Sequence, residues 1–235
     1  MKISDFMKFY KLVKNRTLSE KHYIAFQEFQ ANLVLQSISR HVNLKGKVLL
    51  DIGCGRGGYT KVFKKSGANV ISLDLEMPQV RGIFPAFVQG DATKLPFMDN
   101  SFDFVYSSSL IEHLPEPIHL LHEVHRVLKK GGTFYLSFPP FYTPVGGHQF
   151  KPFNMFLPEK IATFLSRKIY GVKSYKYNDR WGKLHIMTIA KAKKLISKAG
   201  FVISRLSTRF LKVNLAKVPF LNELLTWHVE FYLKK

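Results

Sequence analysis

Three groups of residues in this sequence have the types and spacing that chemistry needs. The first is "LLDIGCGRGG", Leu49 to Gly58, which sets Asp51 and four glycines behind an apolar run. Glycines at such a turn let the backbone approach a bound cofactor closely, and the acid can hold a cationic group. The second is Asp74, twenty-one residues past Gly53 and again at the end of an apolar run. A carboxylate there can accept hydrogen bonds from both ribose hydroxyls. The third is a pair of histidines, His113 in "IEHLPEP" and His148 in "PPFYTPVGGHQFKPF", either of which could take a proton. The glycine loop itself leaves two cofactors open. Read from Gly53, "GCGRGG" fits the G-x-G-x-x-G of a dinucleotide turn; read from Asp51, "DIGCGRG" points to S-adenosylmethionine.

The elements that must position these residues alternate from Lys47 onward. Strand candidates are "KVLLDI", "ANVISLDL", "FVQGDA", "FDFVYSSS", "GGTFYLSFP", "FVISRLSTRF" and "WHVEFYLKK". Helical segments lie between most of them: "YTKVFKKSG" ending at Gly67, "PIHLLHEVHRVLKKGG" ending at Gly131, and "TIAKAKKLISKAG" ending at Gly200. A glycine just past a basic last turn is a helix stop. The alternation predicts an α/β fold: a Rossmann-like, doubly wound, mostly parallel sheet of seven strands.

Two regions break the rhythm. Residues 1–46 read as an N-terminal helical cap, with a capping box at Thr17-x-x-Glu20 and Ala31, Val34, Leu35, Ile38 and Val42 at helical spacing. Residues 47–235 then form the main domain. Within it, residues 141–185, rich in aromatics, Lys, Gly and Pro, read as an insertion after the fifth strand, on the acceptor side.

In an open α/β sheet the ligand sits beyond the carboxyl ends of the strands. The third and fourth strand ends place Asp91 on one loop and Ser107 to Ser109 on the next. With "LLDIGCGRGG", "VISLDLE", "GDATKLPF", "FDFVYSSSLIEHL" and "EVHRVLKKGGTFYLSFP" in this order, residues 47–140 resemble the class I S-adenosylmethionine-dependent methyltransferases, in particular their small-molecule and lipid branch (type 11-like). The resemblance implies that Asp51, Gly53 and Gly55 line the methionine end of the cofactor and that Gly57 lets the next helix pack closely. It implies Asp74 on the ribose, Leu75 against the adenine, Asp91 and Ala92 at the adenine edge, and Ser107 and Ser108 on the methionine moiety. The cofactor's chemistry agrees, because it lacks a pyrophosphate and its ammonium and amine groups give carboxylates something to bind. Cys54 reads as a small filler of the loop, which argues against a cysteine nucleophile.

Methyl transfer needs a base only where the acceptor holds its proton tightly. His113, His148 and Tyr142 are the candidates, with Glu112 ranked behind His113. "PPFYTPVGGHQFKPF" reads as a lid, in which prolines stiffen the chain, Gly146 and Gly147 give a hinge, and aromatics form a wall. His119, His122 and His125 recur every third residue without a carboxylate or thiol partner, so no metal is expected.

Composition bounds the partners. The net charge is +20, and residues 151–235 carry eighteen Lys/Arg against four Asp/Glu, whereas residues 47–150 are close to neutral. Such a field attracts anions. The expectation is a small-molecule or lipid-linked acceptor, anionic or presented at an anionic membrane, with Lys151, Lys160, Arg167, Lys168 and Lys173 near its path. The run "PEKIATFLSRKIYGVK" can form a helix with Ile161, Phe164, Leu165 and Ile169 on one face, most simply a core-packed face. A single cysteine and the absence of a long apolar segment fit a cytoplasmic protein, with peripheral contact at the inner membrane face as an extension. An RNA methyltransferase and a non-catalytic cofactor-binding scaffold are the alternatives; no RNA-binding module stands beside the basic flank.

Overall fold

The computed structural model describes residues 3–78, 82–209, 214–218 and 221–235. Seven strands form one sheet: β1 (Val48–Ile52), β2 (Asn69–Asp74), β3 (Phe87–Gln89), β4 (Phe102–Ser108), β5 (Leu128–Phe138), β6 (Val202–Thr208) and β7 (Val229–Lys234). Their order is β3-β2-β1-β4-β5-β7-β6. β1 pairs in parallel with β2 and with β4, β2 pairs in parallel with β3, and β6 pairs antiparallel with β7. Val48 to Leu50 and Ile52 in β1 are what a strand covered on both faces requires, and all of the strand but its first residue is buried, Asp51 included.

By its contacts the chain divides into two compact units. One comprises residues 1–107, 123–134 and 235; the other comprises residues 108–122 and 135–234. The first holds α1 (Ile3–Asn15), α2 (Glu20–Ile38), α3 (Gly58–Lys65) and β1 to β3. Its core includes Ala31, Val34, Ile38, Leu49, Leu50, Phe63, Phe104 and Val105. The expected repeat on α2 buries Ala31, Val34 and Ile38, but the helix ends there and Val42 lies beyond it. Its N-cap is Ser19, whose hydroxyl accepts from the His22 N–H, so the capping box expected at Thr17 is displaced by two residues. Glu20, the expected capping acid, pairs instead with Arg56 at 2.8 Å.

The helix α4 (Pro117–Val127) stops four residues short of the expected Gly131, because Leu128 to Lys130 already belong to β5. Two side chains fix this register. Lys129 Nζ reaches Asp103 at 3.0 Å, and Arg126 donates to the carbonyls of Leu95 and Phe97 and to Asp99 and Glu123.

The second unit contains a small aromatic core from the expected insertion, with Phe141, Phe150, Ala162, Tyr177 and Leu184 buried together. It also contains α5 (Glu159–Tyr170), α6 (Ile189–Lys198) and β6 and β7. Gly146 and Gly147 are not a hinge. A Cβ at Gly146 would lie 1.9 Å from the Pro140 carbonyl oxygen, and one at Gly147 would lie 2.0 Å from Asn154 Cγ. The absence of a side chain here serves close packing. Thr143 Oγ1 donates to Pro140 O at 2.8 Å, and Asn154 Nδ2 donates to Phe141 O at 2.5 Å, which pins the same segment. Among the described residues, no helix is long and apolar enough to cross a membrane.

Candidate cofactor site and proton-handling cluster

Because β1 to β4 run in parallel, the chain leaves them all at one edge of the sheet. The glycine loop forms there as the sequence requires: Gly53, Gly55 and Gly57 have φ of 73°, 53° and 83°, a region that side chains disfavour. Gly53 and Cys54 donate to the Leu73 carbonyl, and Gly55 N–H donates to Asp74 Oδ2 at 2.8 Å. Asp74 therefore braces the loop as well as standing at its rim. Gly57 is the N-cap of α3, and a Cβ there would meet Ile83 and Phe84 at 2.7 Å. The close helix contact falls one residue later, where a Cβ on Gly58 would lie 2.3 Å from Gln27 of α2.

A cleft of about 320 Å³ opens beside this loop, lined by Tyr23, Gln27, Gly55, Arg56, Asp74 and Glu76 among others. That volume is within the range of small-molecule sites. Leu75 is 68% exposed, as an apolar platform for a planar ring must be. Asp91 accepts from the N–H and hydroxyl of Thr93, both at 2.8 Å, and Ala92 is buried beside it. Ser107 lies opposite Ile52 across the β1–β4 ladder, and its hydroxyl is buried with no hydrogen-bond partner. A buried orphan hydroxyl next to a glycine loop is a feature that a bound ligand would satisfy.

Two expected cofactor residues are engaged elsewhere. Asp51 is buried, and its Oδ2 accepts from Thr60 at 2.7 Å. Burial pushes its carboxyl up to about 7; the Thr60 hydroxyl holds it down and the Asp74 charge adds to the rise. Ser108 Oγ accepts from Arg209 at 3.3 Å, within a buried network of Arg209, Glu230, Tyr135, Ser137 and His228. Burial, with Asp51 and Asp74, drives the Cys54 thiol far above its usual range, so it is no nucleophile. The sequence reading missed Tyr23, Gln27 and Arg56. The Arg56 guanidinium stacks 4.2 Å from the Tyr23 ring, and Gln27 Oε1 accepts from Gly58 N–H at 3.3 Å, so α2 forms a wall of the cleft.

In the second unit, His113 and His148, thirty-five residues apart, meet with ring centroids 5.0 Å apart. His113 lies in a 3₁₀ turn, Ile111–His113, directly after β4. Its Nδ1–H donates to the Lys183 carbonyl at 2.6 Å, which leaves Nε2 with the lone pair. His148 Nε2 is 3.9 Å from Glu112 Oε1. His148 also has φ 50°, in the left-handed region, so the fold holds it in a strained conformation. Burial pulls its imidazole down to about 4, with His113 and Lys151 adding to the effect. Burial pushes the Glu112 carboxyl up to about 8 against its own backbone N–H, and neither oxygen has a hydrogen-bond partner.

Glu112, His113 and His148 can each bring a donor atom within 4.8 Å of the others, a spacing a cation could use. Tyr142 packs edge-on against Phe141, 5.2 Å between centroids, beside the aromatic core. On α4, His119 pairs with Glu116 at 2.7 Å and His122 is exposed.

A doubly wound sheet with a glycine loop after β1, an acid ending β2 and a polar turn after β4 defines the class I S-adenosylmethionine-dependent methyltransferase fold. Comparison with known families agrees: the model described as a methyltransferase domain matches residues 50–136, and this part of the chain is such a domain. An uncharacterized methyltransferase of Mycobacterium leprae (strain TN) is 34% identical over 111 residues, 44% of this chain and 41% of that protein. One from Mycobacteroides abscessus is 31% identical over 137 residues, 54% and 53% of the two chains. The chain thus spans about half the length, or less, of these relatives. Among solved structures, an S-adenosylmethionine-dependent methyltransferase from Mesorhizobium loti superposes with TM-score 0.57 at 18% identity, covering 86% of this chain and 96% of that one. Magnesium protoporphyrin IX methyltransferase from Synechocystis PCC 6803 with bound SAH gives 0.56 at 16%, covering 88% and 82%. At these identities the likeness is one of fold.

Proposed function

We propose that this chain is an S-adenosylmethionine-dependent methyltransferase whose acceptor is a small, anionic or lipid-linked biosynthetic intermediate. The observation that carries the reading is the glycine loop tied to Asp74 at the rim of the cleft, with the unpartnered Ser107 hydroxyl on the adjoining strand. When bound, the cofactor supplies a methyl group activated on a sulfonium. Asp74 has lone pairs left for the ribose, Leu75 offers the apolar contact, and Asp91 and Ala92 offer a carboxylate and an N–H. The charge of Asp51 would be restored by a nearby ammonium, which favours the ionised form.

On the acceptor side, His113 presents Nε2 as proton acceptor, its tautomer set by Lys183. His148 stays neutral above pH 5 or so and can orient a polar group without charging. The basic excess of residues 151–235 favours an anionic acceptor.

Calorimetry tests the cofactor half. S-adenosylmethionine and its demethylated product should bind, and NAD should give no heat. Asp74→Ala should weaken binding by about 1.5–3 kcal/mol through loss of charge-assisted hydrogen bonds. Asp74→Asn, which keeps an acceptor for the Gly55 N–H, should lose less. Tight NAD binding, or wild-type affinity in Asp74→Ala, overturns the reading. The acceptor half is tested by cofactor-dependent methylation of a cell extract split into lipid, RNA and small-molecule pools.

A further inference from the structure

Helix α5 presents its faces in the reverse of the expected order. The residues it buries are Ala162, Thr163 and Ser166. They can be buried because each hydroxyl donates within its own helix, Thr163 Oγ1 to Glu159 O at 2.8 Å and Ser166 Oγ to Ala162 O at 2.7 Å. The large apolar side chains face outward instead: Ile161 is 47% exposed, Phe164 57% and Ile169 56%. Leu165 is half-buried, so the core-packed face expected of the four is overturned for Ile161, Phe164 and Ile169. Isolated exposed apolar side chains need no explanation, but a helix that buries its small polar face and exposes its apolar one does.

The chain that follows adds to the same surface. Tyr175 and Trp181 are exposed, and cations stack on both. The Arg167 guanidinium lies 3.6 Å from the Tyr175 ring centroid, and Lys173 Nζ and the Arg180 guanidinium each lie 5.2 Å from the Trp181 ring. An open groove of about 460 Å³ runs between Phe164, Arg167, Lys168, Lys173 and Tyr175. Residues 156–183 contain seven Lys/Arg and two acids. Both acids are occupied by backbone: Glu159 accepts from Tyr177 N–H, and Asp179 accepts from the N–H groups of Tyr175, Lys176, Trp181 and Gly182. Among the described residues, none of the ion pairs involves Lys160, Arg167, Lys168, Lys173 or Arg180. The Asp179 knot gives the loop a fixed shape, so its rings and cations are presented rather than left to wander.

We propose that α5 and the loop 171–183 form a docking surface for an anionic lipid bilayer. Charge complementarity selects the anionic surface, and the outward Ile161, Phe164 and Ile169 select lipid over a nucleic acid. A polyanion in water offers nothing to cover aliphatic side chains, whereas an interfacial helix buries its apolar face about 5–10 Å into the headgroup boundary. Tyr and Trp rings flanked by Lys and Arg are the side chains that settle at that boundary. The inference does not depend on the catalytic reading, since binding is measured without cofactor or acceptor.

Cosedimentation of the full chain with phosphatidylcholine vesicles, with and without an equal part of phosphatidylglycerol, tests it. The chain should sediment with the anionic vesicles and not with the neutral ones. Attraction should weaken as added salt shortens the Debye length from ~10 Å at 0.1 M to ~3 Å at 1 M. The double variant Phe164→Glu, Ile169→Glu, shown folded by circular dichroism, should lose partitioning by about tenfold or more, beyond what single-site Lys160→Glu loses. In a Trp227→Phe background, emission from Trp181 should shift to the blue on anionic vesicles and be quenched by brominated acyl chains. Failure to sediment at low salt overturns the proposal. So does vesicle binding that the Phe164/Ile169 substitutions leave unchanged and that a homopolymer RNA displaces, which would mark a general polyanion site.

Discussion

Replacing His113 with alanine should lower methyl-transfer turnover by about 10²–10⁴-fold while leaving S-adenosylhomocysteine affinity nearly unchanged. The direction follows from the hydrogen bond to Lys183, which holds the ring in one tautomer with Nε2 as the lone-pair nitrogen. His148→Gly is the companion variant. The backbone at this position has φ 50°, which glycine adopts without strain, so stability should hold within about 1 kcal/mol while turnover falls. Tyr142→Phe should change little, because that ring packs against the aromatic core and phenylalanine keeps the contact. Wild-type turnover in both histidine variants would assign the pair to structure and remove it from the chemistry.

How far these residues could be read from sequence depends on the range of the interaction that fixes them. All seven strands were legible as segments carrying β-branched and aromatic residues between helical patterns, though β5 begins at Leu128, three residues before the expected Gly131. The glycine loop and Asp74 were legible because backbone conformation and strand ends are local. What was not local was missed or misplaced. The cap of α2 falls at Ser19 rather than Thr17, where Glu20 is drawn to Arg56 on the glycine loop. The wall that Tyr23 and Gln27 give the cleft depends on α2 lying within a Cβ's breadth of Gly58, which no periodicity reveals.

The face of α5 is the clearest failure. Hydrophobic spacing identified the helix and the apolar stripe correctly, but the rule that the apolar stripe faces the core gave the wrong orientation. Thr163 and Ser166 satisfy their own hydroxyls and so can be buried at little cost, which the rule does not count. His113 and His148 were each candidates on their own, yet their pairing needs the loop after β5 to close on the turn after β4. Glu112 ranked behind His113, and glutamates are mostly exposed. Its burial is a property of the packed unit alone.

That burial gives the second large effect. Glu112→Gln should stabilise the protein at neutral pH, by about 3 kcal/mol at pH 7. Glu112 is fully buried with no hydrogen bond to either carboxyl oxygen, and burial raises its carboxyl to about 8 from 4.5. Between those values the folded chain keeps a proton that the unfolded chain has released. The unfolded state then binds fewer protons, so stability falls as pH rises, and the loss is complete above about 8. Glutamine copies the shape of the protonated acid and cannot ionise, so it removes this slope. Urea unfolding of wild type and variant from pH 5 to pH 8.5 should therefore give midpoints that nearly coincide at the acid end and diverge as pH rises. Asp51, raised to about 7 in the other unit, adds a slope of the same sign between its free value and 7, and this slope should persist in the Glu112 variant. Asp51→Asn should remove it separately, and the two effects should add, since the residues share no partner. Parallel midpoints for wild type and Glu112→Gln would mean that Glu112 is ionised and solvated in the folded chain. The proton-handling cluster would then lose its buried acid, and His148 would have no neutral carboxyl beside it.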